Sequence, residues 1–209
     1  MKKKIPIFPL KLVLFPDSRY PLHIFEERYK KMINRCIDNR ETFGVVASID
    51  SNFSKVGCSA KIEEILRSNQ DGSFDILVSG IERILIRSTI LNKDGYLEAE
   101  FSEYTDTTPN IFDESLYQDT LDKLLKVLKI AKLELENEFW ANLTIAEVKS
   151  YKLAEKAGMN LKQRQKILTF KSEYDRLNYL KKHLIKIEGL ISKDMQVQEL
   201  IAGDGYTNK

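Results

Sequence analysis

The chain has 209 residues, of which 43% are apolar and 31% charged, and its formal net charge is +2. That suffices for one large domain or two modest ones, and the balance is that of an ordinary soluble globular protein. A charge so near neutral gives no whole-molecule signal for nucleic acid. No run approaches the roughly 18 consecutive apolar residues of a membrane span, so no membrane partner is expected.

In chain order, the basic start Met1-Lys2-Lys3-Lys4 runs into a proline-broken strand and not into a signal-peptide apolar run. Ile5–Phe8 and Leu12–Phe15 read as short strands punctuated by Pro9 and Pro16. Pro21–Tyr29 organises this half of the chain. Pro21 lacks an N–H and suits a strand start or edge, and Leu22, Ile24 and Phe25 supply the bulk of a buried strand end. The period then changes. Tyr29, Met32, Ile33, Cys36 and Ile37 fall at helical spacing, which predicts a helix over 26–39 with Glu26 and Glu27 in its first turn.

Thr42–Ile49 is a continuous apolar run with β-branched residues, consistent with a buried strand. Asp50–Lys55 is a polar loop. Val56–Arg67 alternates until Glu63-Glu64, which marks a bulge. Asn69-Gln70-Asp71-Gly72 and Asn92-Lys93-Asp94-Gly95 are turns with Asp-Gly hairpin chemistry. Gly80 interrupts the alternation between them, as at a bend or close backbone approach. Short strands with such turns suggest a barrel or sandwich over 1–104. The polar stretch 105–112 with Pro109 reads as a linker.

From Asp113 the period is helical throughout, which predicts an all-helical bundle over 113–200. Tyr117, Leu121, Leu124, Leu125, Leu128, Ala131 and Leu135 mark one face of a first helix of about 20 residues. Thr144–Glu147 is a capping box expected to open the next, which Gly158 closes. Asn160 with Gln163 caps a short helix through Thr169, and Ser172 opens the last. The stretch 201–209 reads as a flexible tail. The fold class is therefore α+β: a β-rich half with one packed helix, then a helical half.

Several segments, in order, resemble the Lon substrate-binding domain family. They are Ile5–Leu10, with Pro9 and Leu10, then Phe15-Pro16, then Pro21-Leu22-His23-Ile24-Phe25-Glu26-Glu27-Arg28-Tyr29. Val56-Gly57-Cys58, Asp71-Gly72, Val78–Arg83 with Gly80 and Arg83, and Arg176-Leu177-Asn178-Tyr179-Leu180 continue the likeness, over about residues 4–185. The resemblance implies a PUA-like β-rich subdomain followed by a helical bundle, and a substrate-recognition role. The family's ATPase segment and Ser/Lys protease signature are missing from the chain, so a non-catalytic protein-binding module is expected.

No catalytic constellation emerges. There is no Gly-x4-Gly-Lys-Ser/Thr cradle and no Gly-x-Ser-x-Gly elbow. Two histidines, His23 and His183, support neither a metal site nor His-dependent catalysis, so no cofactor or metal is expected. Cys36 and Cys58 read as small core hydrophobes of a reduced, cytoplasmic protein. Glu26 with Arg28 reads as an ion pair fixing the helix entry. Gly57, Gly80 and Arg83 read as structural.

Two features point outward. One is the set Phe8, Phe15, Phe25, Phe43, Phe53, Phe74 and Phe101, some of which an exposed patch for unfolded polypeptide would use. The other is 149–187, with eleven Lys/Arg against three Asp/Glu, a local +8, while 113–147 has four against eight, a local −4. Lys149, Lys152 and Lys156 neighbour one another on one helix, and Lys181, Lys182 and Lys186 on another. They either pair with the acidic first bundle helix or form a face for an acidic partner or nucleic acid. A full-length Lon or another protein is a further partner consistent with the resemblance.

Overall fold

A computed structural model describes residues 3–107 and 112–203, with side chains through 193. The chain divides into two compact units, Met1–Thr107 with Met159–Lys171, and Thr108–Gly158 with Ser172–Lys209.

The first unit is built on β1 (Lys4–Leu10), β2 (Arg19–Ile24), α1 (Glu27–Asn39), β3 (Phe43–Ile49), β4 (Asn52–Phe53), β5 (Val56–Ser68), β6 (Phe74–Leu91) and β7 (Leu97–Glu103). The sheet runs β1-β7-β6-β5-β3-β4, and a parallel β1–β3 pairing closes the circuit. Closure removes the free edges of β1 and β3 along this circuit, the commonest liability of a small sheet. β2 pairs with the first half of β6, from Arg19↔Ser79 to Ile24↔Phe74. Phe8, Leu22, Ile24, Phe43, Cys58 and Ile76 meet Tyr29, Met32, Ile33 and Cys36 of α1 in the main core. Ile5, Ile7, Val46, Ile84 and Ala99 form a second.

Several local expectations are corrected. Leu12–Phe15 is not a strand; it enters a loop that turns at Asp17, with φ 59°. Phe25 is 62% exposed, although Leu22 and Ile24 are buried. The pleat explains it: the inward set is Leu22 and Ile24, so His23 and Phe25 share the outer face, their rings stacked 5.7 Å apart. The 50–55 loop contains the two-residue strand β4, paired to Ser48 and Ile49. Gly80 does not break β6. It lets the 15–18 loop lie on the strand, because a Cβ there would sit 2.1 Å from the Phe15 carbonyl oxygen. The expected bulge is present between Ile62 and Glu64, and a further shift lies between Ile65 and Arg67.

The segment 159–171, assigned by its period to the helical half, belongs with the sheet. Its helix α5 (Leu161–Thr169) packs on β3 and β5. Periodicity names a helix but not the surface that covers it. The Asn160–Gln163 capping box is formed in both directions.

The second unit holds α2 (Glu114–Ile130), α3 (Asn137–Ile145), α4 (Lys149–Lys156) and α6 (Glu173–Gly203). The first helix is shorter than its apolar stripe predicts, since the backbone turns at Lys132 with φ 55°. Thr144 is no N-cap: it lies inside α3 and its hydroxyl donates to the Trp140 carbonyl. α4 starts instead at Lys149, after Val148. Gly158, with φ 65°, follows the end of α4. α2 and α6 run side by side in the same direction, since Asp119 meets Lys181 and Lys126 meets Glu188. Residues 201–203 of the expected tail continue α6; 204–209, like 108–111 of the expected linker, lie outside the described residues.

Candidate functional site

Three turns of the β-rich unit converge on a groove of about 450 Å³. The start of α1 supplies Glu26, Arg28 and Tyr29; the β3–β4 hairpin supplies Ser48 and Phe53; the β6–β7 hairpin supplies Leu91, Gly95, Tyr96 and Leu97; Pro9 completes it from β1. The tight turns put these side chains there. Asp94 N–H donates to the Asn92 side chain, 2.8 Å, and Gly95 takes φ 89°, which folds β7 back on β6. Asp50 and Ser51, both at positive φ, reverse the chain between β3 and β4 and leave Phe53 at the rim.

The floor is fixed. Tyr29 and Tyr96 are buried, and the Tyr29 ring packs tilted against Phe8 with centroids 4.3 Å apart. Burial raises the Tyr29 phenol pKa, so it stays neutral. The rim is wet and apolar: Phe53 is 51% and Leu91 71% exposed. Also in the lining, Arg28 donates twice to one Glu26 carboxylate oxygen, Oε2, from Nε at 2.9 Å and Nη2 at 2.7 Å, and lies 4.6 Å over the Tyr29 ring. Arg35 on α1 braces the β6–β7 turn through Glu98, 2.6 Å, and the Tyr96 hydroxyl, 2.9 Å. Burial alone would raise the Glu98 carboxyl, but Arg35 and Asn92 together hold it below its ordinary value. Such a groove offers apolar contact with one charged pair for orientation.

The other motif residues lie around this frame. Pro21 is exposed opposite Leu77, and Leu22 and Leu10 pack on the core. A Cβ on Gly57 would sit 2.6 Å from the Val45 carbonyl oxygen. Arg83 is buried and donates to the carbonyls of Leu168, 3.1 Å, and Phe170 and to the Asp106 carboxylate, with its guanidinium over Tyr104. It fastens the end of α5 to the sheet. His23 lies 2.7 Å from Asp75 on the outer face. His183 is buried and its Nε2 meets the Ala157 carbonyl at 2.9 Å. Burial pushes the Cys36 thiol up to about 11 and the Cys58 thiol to about 12, which removes both as nucleophiles. Among the described residues no group of three or more His, Cys, Asp or Glu could hold a metal ion. No described helix is long and apolar enough to cross a membrane.

Of the seven phenylalanines, Phe8, Phe15, Phe43 and Phe74 are core, Phe101 packs partly on the second cluster, and Phe25 and Phe53 are exposed. Nothing in the sequence marked Leu91, which reaches the groove only because the hairpin tip turns there.

The basic stretch is divided. Lys162, Arg164, Lys166 and Lys171 belong to the β-rich unit. In the helical unit Lys149 donates to the Leu143 and Thr144 carbonyls, capping α3. Lys152 is buried and meets Glu155 at 3.0 Å, and Lys181 meets Asp119 at 2.8 Å. Lys156, Lys182 and Lys186 are exposed.

A family model described as the ATP-dependent protease La (LON) substrate-binding domain matches residues 4–186. Lon protease 2 of Syntrophobacter fumaroxidans is 27% identical over 181 residues, 80% of this chain and 22% of that protein. The chain thus spans about a fifth of that relative's length. The Lon N-terminal domain protein from Xanthomonas campestris matches with a TM-score of 0.66 at 21% identity, covering 85% of this chain and 96% of that one. The N-terminal domain of a Mycobacterium avium complex Lon protease matches with a TM-score of 0.65 at 14% identity, covering 87% and 98%. Likeness at these identities concerns the fold.

Proposed function

This chain belongs to the ATP-dependent protease La (Lon) substrate-binding domain family, and from that premise we propose that it is a non-enzymatic module that captures exposed apolar segments of other polypeptides. The observation that carries the reading is the groove rimmed by Phe53 and Leu91 over the Tyr29–Tyr96 floor. An apolar client side chain set between those two rim residues removes their exposed surface from water at ~25 cal/mol per Å². Glu26 and Arg28 beside it offer hydrogen bonds to the client backbone. Ordering a flexible client consumes much of this gain, so affinity per site is modest.

The alternative reading, an acidic partner or nucleic acid held by 149–187, has less behind it. Lys149, Lys152 and Lys181 are engaged within the helical unit, and four of the eleven cations belong to the other unit.

Titration of a fluorescently labelled, permanently unfolded protein tests the proposal. Micromolar binding is expected, weakened about tenfold by Phe53→Ser with Leu91→Ser, with affinity nearly constant between low and moderate salt. Binding unchanged in the double variant, or lost steeply with salt, overturns it.

A further inference from the structure

The sheet that closes on itself at one end is open at the other. The β3–β5 ladder stops at Phe43↔Ala60, yet β5 continues to Ser68. Over Lys61–Ser68 its described ladder is with β6 alone, so its other edge is unpaired among the described strands. Beside that edge lies a groove of about 370 Å³ between β5 and the end of α1. Ile62 and Ile65 line it from the strand, Cys36 and Ile37 from the helix and Arg40 from the helix's C-terminal cap. Ile65 is 47% exposed. An open strand edge facing a helix is the arrangement in which an added strand gains backbone hydrogen bonds and pockets for alternate side chains.

The track has a stop. β3 is antiparallel to β5 and begins at Phe43, directly after Glu41 and Thr42 at the groove. A segment running in β3's direction along the open edge must end where β3 begins. The charges there are specific. Of the acidic groups in the lining, Glu41 is held by Arg35 at 3.0 Å and Glu63 by Arg19 at 3.0 Å, while Glu64 lies farther along β5. Arg40 and Lys61 are exposed at the stopped end, Lys61 only loosely linked to Glu63 at 3.8 Å.

We propose that the Lys61–Ser68 edge and its groove form a second docking site, which takes the free C-terminal end of an extended polypeptide by strand addition. Arg40 and Lys61 meet the terminal carboxylate, and Ile37, Ile62 and Ile65 receive alternate apolar side chains. The two bulges within Lys61–Ser68 bend the edge, which suits a short segment and discourages pairing with a second copy of the same edge. The inference rests on the polypeptide-binding reading but uses a different groove.

The test uses a synthetic peptide of alternating threonine and valine, about seven residues long to match the edge. It is made as the free acid, as the C-terminal amide, and with alternate backbone N-methylation. Amide NMR of the full chain should show the free acid shifting Lys61–Ser68. The amidated peptide should bind about tenfold more weakly and the better-placed N-methyl series not at all. Arg40→Glu with Lys61→Glu should bring the free acid down to the amide's affinity and leave the amide's unchanged, which shows the variant is folded. Equal affinity for acid and amide overturns the proposal, as do shifts confined to the Phe53–Leu91 groove. Failure of all three peptides while the unfolded protein still binds overturns this site alone.

Discussion

Each unit buries an arginine, and the two are satisfied in opposite ways. Arg83 in the sheet reaches backbone carbonyls 85 and 87 residues away, at Leu168 and Phe170. Arg176 in the helical unit bonds Glu173, three residues back on its own helix, at 2.9 Å, and Ser150 at 3.1 Å. Glu173 in turn accepts from the Ser150 N–H, 2.9 Å, and hydroxyl, 2.6 Å, at the start of α4, where Val148 offers no side-chain cap. The helical unit ties its helices with a mostly local pair that doubles as a helix cap. The β-rich unit recruits a distant helix with one long-range clamp. Local pairs survive in sequence as spacing; long-range clamps do not.

The sharpest way to break this contrast is Glu173→Ala. It takes the carboxylate partner from a fully buried guanidinium and uncaps α4, so it should remove about 3–5 kcal/mol in chemical denaturation. Replacing the pair together, Glu173→Leu with Arg176→Met, should recover most of that loss, because a buried ion pair and a packed apolar pair are often nearly equivalent. If the double variant is as unstable as the single, the pair contributes more than mutual neutralisation.

Gly80→Ala probes the β-rich side. The new Cβ meets backbone at Phe15, and the loop is tied to the strand by Asp17 N–H to the Gly80 carbonyl, 3.0 Å, and Gly80 N–H to the Ser18 carbonyl, 2.9 Å. Neither partner can swing away as a side chain would, so a loss of about 3 kcal/mol is expected in the same assay. A loss below about 1 kcal/mol would mean that the loop shifts freely.

Gly189 sits within α6, and a methyl group added there would meet nothing within 4 Å, so Gly189→Ala should stabilise by up to about 1 kcal/mol. Calorimetry should show Tm rising by about 2–4 °C. The smallest effect is on pH dependence. The Glu98 carboxyl is held below its ordinary 4.5, so its stabilising contribution is full above that value and fades as pH falls through the depressed one. Glu98→Gln should flatten the acid limb of the stability curve below about pH 4.5 and leave its shape near neutrality unchanged.

Much of the frame was legible beforehand, and particular residues show why. Asp71-Gly72 and Asp94-Gly95 announced two hairpins because few residues accept their backbone angles, and both glycines have positive φ. Asn160 and Gln163 announced a cap because reciprocal bonding needs that spacing. Thr144 and Glu147 had the same spacing and misled, since a threonine inside a helix can bond the preceding turn instead. The groove was not legible. Phe53 could be named but not placed, and Leu91 gave no signal, because exposure depends on what neighbouring turns leave uncovered.

The sequence by itself determined most of the elements and the order of β-rich before helical, because turn chemistry, caps and periodicity are local and written in neighbouring residues, and its ordered motifs carried the family resemblance. Tertiary structure alone decided that 159–171 packs on the sheet, that Phe25 faces outward, and that three turns enclose one groove while β5 outruns its partner. Those outcomes depend on contacts between residues far apart in the chain, whose energies no local pattern encodes.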